Sequence, residues 1–164
     1  MTPTPVWRPT ARILLADPEG RVLLFSADDP GGRWWFTPGG GMHRGETVRS
    51  AAVRELFEET GVRSSEAGLG PMVATSASRW WAAERGKLFL GAHSYFFLRV
   101  PASRIDTGNQ EELERSIITG HRWWSVAELR GATELVLPPG LAGLLERLLG
   151  GDIPNRPVRL GRHT

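Results

Sequence analysis

Gly40 is followed after five residues by Glu46, and after seven more by Arg54-Glu55-Leu56-Phe57-Glu58-Glu59-Thr60-Gly61-Val62. Residues Thr47 to Thr60 read as a helix, with Thr47 of N-cap type and Gly61 where a left-handed glycine closes a helix. At 100° per residue, Glu55, Glu58 and Glu59 fall within an arc of about 100°. Val53, Leu56 and Phe57 lie roughly opposite and can pack on a sheet. Like charges three and four positions apart cost a helix a few tenths of a kcal/mol per pair. An isolated Glu-Glu pair would therefore mean only a solvated acidic face. Three carboxylates beside Thr37-Pro38-Gly39-Gly40-Gly41 suit a hard divalent cation, Mg²⁺ or Mn²⁺, that takes oxygen ligands and is shared with phosphates. Consecutive glycines let the backbone approach such a ligand closely.

Outward from this stretch, Ala11 to Ala16 and Arg21 to Phe25 are apolar runs around the turn Asp17-Pro18-Glu19-Gly20, which predicts a hairpin. Arg33 to Thr37 reads as a short aromatic strand. Val73 to Trp81 and Lys87 to Val100 predict a second hairpin. Glu111 to Arg115 reads as a helical turn, His121 to Ser125 as a strand, Val126 to Arg130 as a helical turn, and Leu141 to Leu149 as an amphipathic helix. The leucines of that helix are too short a run for a coiled coil and are read as core-facing, although a homodimer stays open. Residues 1–10, with three prolines, read as a loose lead-in, 11–149 as one domain and 150–164 as a flexible tail.

The chain has 164 residues, enough for one domain with its own core. It has no cysteine, which excludes disulfides, thiolate metal sites and cysteine nucleophiles. The net charge is +2, and the basic groups are almost all arginines scattered along the chain. Scatter of that kind argues against nucleic acid as the main partner. No apolar run is long enough to span a membrane, and Met1 to Arg8 lacks the apolar core of a secretory signal. The expectation is a cytoplasmic protein with no membrane partner.

The stretch from Gly40 to Val62 resembles a complete Nudix box. The approach Trp35 to Gly40 and the later Arg122-Trp123-Trp124-Ser125-Val126-Ala127-Glu128-Leu129 also resemble that family. The resemblance implies an α/β fold, a three-layer α/β/α sandwich around a mixed β-sheet. It implies a metal-dependent pyrophosphohydrolase that cuts the phosphoanhydride of a nucleoside diphosphate linked to another group: a nucleoside triphosphate, nucleotide sugar or dinucleotide. Glu55, Glu58 and Glu59 would ligate Mg²⁺ or Mn²⁺ with the Gly40 carbonyl, and Glu46 and Arg54 would form an ion pair holding helix to loop. The proton acceptor for water would be a box glutamate, Glu58 before Glu55, or one of Glu111, Glu112 and Glu114. Glu114 is favoured as nearest the Arg122 strand. The alternative is a domain that binds nucleotides without turning them over, but such domains usually lack box glutamates and none is missing here.

For the small-molecule nucleotide itself, three Trp pairs stand out: Trp34-Trp35, Trp80-Trp81 and Trp123-Trp124. Neighbours on a strand point to opposite faces, so one of each pair at most can face a pocket. Trp34 and Trp80 are the candidate stacking residues. Arg44, with His43, is a candidate phosphate contact. His93 and His121 read as hydrogen-bonded strand residues.

Overall fold

The computed structural model describes residues 2–162, the side chain of Leu113 apart. One mixed sheet of nine strands forms the centre, with β1 (Val6–Ala16), β2 (Val22–Asp29), β3 (Gly32–Phe36), β4 (Gly39–Gly41), β5 (Met72–Ala82), β6 (Lys87–Arg99), β7 (Ile118–Trp124), β8 (Leu135–Val136) and β9 (Val158–Arg159). Its order is β8-β3-β2-β1-β6-β5-β9, while β4 pairs with β1 and β7 with β2. The helices are α1 (Val48–Thr60), α2 (Glu112–Ile117), α3 (Val126–Arg130) and α4 (Leu141–Leu149).

Strand β1 organises the rest because its alternation serves two faces. Ala11, Ile13 and Leu15 face α1, where Ala51, Ala52 and Leu56 cover them. Leu14 faces the other way and joins Val22, Leu24, Trp124 and the α4 leucines Leu141, Leu144, Leu145 and Leu148. Those four leucines are buried, as core-facing residues should be. Helices therefore cover both faces of the sheet, and the expected α/β sandwich is the fold observed.

Helix α1 begins and ends where its caps dictate. Thr47 accepts from Ser50 N, the Ser50 hydroxyl accepts from Thr47 N, and Gly61 closes the helix at φ 74°. Its apolar face differs from the expectation. Leu56 is buried, but Phe57 is half-exposed with the Arg63 guanidinium over its ring. Glu55 and Glu59 turn inward instead.

Two segments differ from their reading. Residues 6–10, expected in the loose lead-in, are the first half of β1 and pair in parallel with β6. Pro9 is tolerated because its carbonyl accepts from Met42 N while its missing N–H falls where the β4 ladder begins. In the tail expected to be flexible, Val158 and Arg159 pair with Ala74 and Thr75 of β5, and Val158 and Leu160 pack on the core. Such pairings join residues far apart in sequence and leave no local signal.

The turn between β1 and β2 rests on Asp17, which is buried. Its carboxylate accepts from Glu19 N, Arg21 N, Arg21 Nε and the Ser103 hydroxyl at 2.8–3.0 Å. Burial pushes this carboxyl up, but the hydrogen bonds from Arg21 and Ser103 outweigh it and hold the group below its ordinary value. Asp17→Ala is expected to cost about 2–3 kcal/mol at neutral pH, read from urea unfolding midpoints. Because the folded value is depressed, the contribution is complete above the unfolded value of about 3.9 and is lost as pH falls through the folded one. The gap between wild type and variant should therefore close on acidification; a constant gap would contradict the assignment.

Candidate active site

The site is assembled by one guanidinium. Arg54 on α1 grips Glu46 with Nε and Nη2, both at 2.9 Å, and Nη2 also donates to the Gly41 carbonyl at 3.0 Å. Its Nη1 donates to Glu55 at 3.0 Å and to Glu58 at 3.1 Å. The fork geometry suits this bidentate hold, which a lysine could not reproduce. The hydrogen bonds from Arg54 draw the Glu46 carboxyl down to about 2, and the same acids raise Arg54. The expected Glu46–Arg54 pair is present, and it does more than tie helix to loop because it also places two of the acids.

Glu55 is buried, and among the described residues its Oε2 has no hydrogen-bond partner. A buried carboxylate oxygen without a partner is costly unless something cationic approaches it. Burial pushes this carboxyl up to about 7, against the pull of Arg54. Glu114 reaches the same place from α2, and oxygens of Glu55, Glu58 and Glu114 lie within 4.8 Å of one another. Burial raises Glu114 also, while the hydrogen bond from Glu111 N lowers it. Glu59 lies outside this trio. It is buried with Oε2 accepting from Gly39 N at 2.6 Å, and burial and the Glu55 charge push it well up. Glu111 and Glu112 are exposed.

The glycines have different duties. A Cβ on Gly40 would come within 2.5 Å of Glu55 Oε1, so the bare backbone makes room for that carboxylate. A Cβ on Gly39, at φ 134°, would come within 2.0 Å of the Ala11 carbonyl on the central strand.

Two cavities meet at this loop. The smaller, about 480 Å³, is lined by Glu55, Glu59, Glu111, Glu114, Arg8 and Arg12 among others. The larger, about 570 Å³, shares Arg8, Arg12, Gly40 and Gly41 with it and has Trp34 and Trp80 on its walls. Each wall is doubled: Trp80 stacks on Phe89 at 5.2 Å and Trp34 lies 4.8 Å from Phe36. The partners point elsewhere, as strand alternation requires. Trp35 is buried against Trp124, and Trp81 is exposed. Arg44 is exposed at the turn before α1 and lines neither cavity. His43 lines the smaller one.

No local signal in the sequence marks Arg8 and Arg12, which line both cavities. Arg12 donates to the Thr37 and Gly39 carbonyls at 3.1 Å and so braces the glycine turn. Only the alternation of β1, with both residues on the face of Thr10, could have pointed to them.

A model of the NUDIX domain matches residues 6–148. Over 75 residues the chain is 37% identical to an RNA pyrophosphohydrolase of Sphingopyxis alaskensis, a match covering 46% of each chain. The chain thus spans less than half the length of that relative. The NUDIX domain of Shewanella oneidensis NrtR, solved as a complex with ADP ribose, superposes with a TM-score of 0.62 at 17% identity, covering 89% of this chain and 90% of that one. A MutT protein from Bacillus halodurans gives 0.59 at 18% identity, covering 96% and 90%. At such identities the two structures bear on the fold.

The two glycines separate stability from site geometry. Gly39→Ala is expected to lose at least about 3 kcal/mol or fail to fold, because strand backbone cannot yield. Gly40→Ala meets only the end of a side chain. It should stay folded, within about 1 kcal/mol of wild type, while displacing the Glu55 carboxylate. Thermal unfolding of both variants checks the order.

Proposed function

The chain belongs to the NUDIX family, and on that premise we propose that it is a metal-dependent hydrolase cutting a phosphoanhydride in a nucleotide. The observation that carries this reading is the partnerless buried Oε2 of Glu55 inside a cluster of three carboxylates. That donor set is all oxygen and strongly acidic, which fits Mg²⁺ or Mn²⁺. Glu55 and Glu58 would hold the cation beside the Gly40 carbonyl, and Glu59, which lines the same cavity, can add a carboxylate. When bound, such a cation neutralises pyrophosphate charge and acidifies water.

The chain's own residues do the rest. Arg54 holds Glu55 and Glu58 in place through single hydrogen bonds and leaves Glu55 Oε2 open. Glu114 comes from a different element, is half-exposed, and has a raised carboxyl, so it is our choice to accept the proton from water. Arg8 and Arg12 line both cavities and are placed to bind phosphate oxygens on the path between them. A base stacked on Trp34 or on Trp80 would gain about 1–3 kcal/mol. The intact acid cluster favours turnover over a module that only binds nucleotides.

Hydrolysis of nucleoside triphosphates, nucleotide sugars, dinucleotides and a 5′-triphosphorylated RNA, with Mg²⁺ or Mn²⁺ and the nucleotide and phosphorylated products separated and identified, tests the reading. The RNA arm belongs there because the relative from Sphingopyxis alaskensis is an RNA pyrophosphohydrolase; a free nucleotide is our expected substrate. Activity should vanish with excess chelator. Glu55→Gln and Glu58→Gln should each lower kcat at least about 100-fold and weaken metal binding. Glu114→Gln should lower kcat about 100- to 10,000-fold with metal affinity nearly kept. Full turnover in chelator, or in all three variants, would refute the site.

Binding of a non-hydrolysed analogue should change tryptophan emission. Trp34→Leu or Trp80→Leu, whichever removes the stacking face, should raise KM by about fivefold or more, whereas Trp81→Leu, on the other face, should leave it unchanged; no change in either variant would refute the stacking site.

A further inference from the structure

The larger cavity carries one acid that the proposed chemistry does not use. Among the described residues that line it, Arg8, Arg12 and Arg79 are the cations and Asp29 is the only carboxylate. Asp29 is within ion-pair distance of none of the three, and its neighbour across the hairpin, Arg33, is taken by Asp28. Its Oδ1 accepts from Gly31 N at 2.8 Å, and among the described residues its Oδ2 meets no donor. The hairpin that carries it is stiff. Asp29 pairs with Gly32 across the two-residue loop Pro30–Gly31, whose proline fixes φ. Ala27 pairs with Trp34. Alternation therefore puts Asp29 and Trp34 on one face, as diagonal neighbours about 7–8 Å apart. A purine laid on the Trp34 indole turns an edge to this carboxylate.

An ionised carboxylate only accepts, and each of its oxygens has two lone pairs. Oδ1 thus keeps one for a ligand after its bond to Gly31 N. Guanine has two adjacent donors on one edge, N1–H and the 2-amino group, which match the two oxygens of a carboxylate. Hypoxanthine keeps N1–H but lacks the amino group. Adenine has one donor there, the 6-amino group, beside an N1 that is itself an acceptor and repels a second carboxylate oxygen. Hydrogen bonds to an ionised acceptor are the stronger kind, so the difference between these edges is large. The three arginines of the cavity draw the phosphates, whereas Asp29 has use only for the uncharged donors of a base.

We propose that Asp29 is a specificity-determining residue: it selects a base stacked on Trp34 by its paired donors, so that guanine nucleotides are the preferred class. This rests on the reading that a nucleotide occupies the cavity.

The probes are GMP, IMP, AMP and ribose 5-phosphate, which have no anhydride to lose, titrated by calorimetry in Mg²⁺. GMP should bind about tenfold or more tightly than IMP, which lacks only the 2-amino group, and than AMP. Asp29→Asn keeps an acceptor for Gly31 N and puts a donor in place of the other oxygen, the complement of adenine's N1 and 6-amino pair. It should weaken GMP about tenfold and tighten AMP about threefold or more, with ribose 5-phosphate unchanged. Trp34→Leu should weaken all three nucleotides. An aspartate that only held its turn would move the three together and leave their ratios alone. The inference is overturned by a wild-type GMP-to-IMP ratio under about threefold, by ratios that Asp29→Asn leaves unchanged, or by an inert Trp34→Leu. Should Asp29→Asn fail to fold, the wild-type ratio decides. If ribose 5-phosphate binds as tightly as all three nucleotides, no base enters the cavity; the nucleotide reading then fails, and this inference with it. If the three bind alike but more tightly than ribose 5-phosphate, the nucleotide reading stands and this inference alone fails.

Discussion

The Arg54 guanidinium is the point on which the acidic site depends. Three glutamates and the Gly41 carbonyl converge on it. Without that charge, Glu55 and Glu58 would repel each other across one helical turn. With it, they are held close while one buried oxygen stays unmatched. The arrangement is half-neutralised: one fixed cation among several acids, with burial still pushing Glu55 and Glu59 towards protonation. Such a cluster is poised for a further positive charge, and binding one would release protons.

The second constraint is backbone proximity. Gly39 presses against Ala11 of the central strand, and its N–H is spent on Glu59. Arg12 holds the carbonyls on either side of Pro38–Gly39 from the opposite face. The loop is thereby clamped between a helix carboxylate and a strand guanidinium. This clamp fixes Gly40 over Glu55, and it makes the wall between the two cavities part of the sheet and not a mobile loop.

What could be read in the sequence was what is local. Thr47 and Gly61 mark α1 because capping needs only neighbours in the chain, and the turn at Asp17 and the hairpin around Gly86 carry their own signals. The spacing of Glu55, Glu58 and Glu59 placed the acids on one helix, but not the fact that Glu59 turns to Gly39 while Glu114 arrives from α2. That meeting depends on how the segment before β7 folds back, which no periodicity encodes. Prolines hid the first half of β1, and the tail's pairing with β5 links positions more than eighty residues apart. The doubled tryptophans announced alternation, yet which member faced the cavity was settled by register.

Strand β1 carries two vocabularies on alternate letters. Ala11, Ile13 and Leu15 speak to the helix that bears the acids, and Arg8, Thr10 and Arg12 speak to the cavities. Because the two sets never share a face, drift at positions 8 and 10 alters the lining of the cavity without moving the ground beneath the glutamates. Arg12 is the exception, since it also braces the glycine turn. A lineage diversifying from this scaffold can therefore reshape the cavity by single steps along one strand, with the acidic cluster inherited intact.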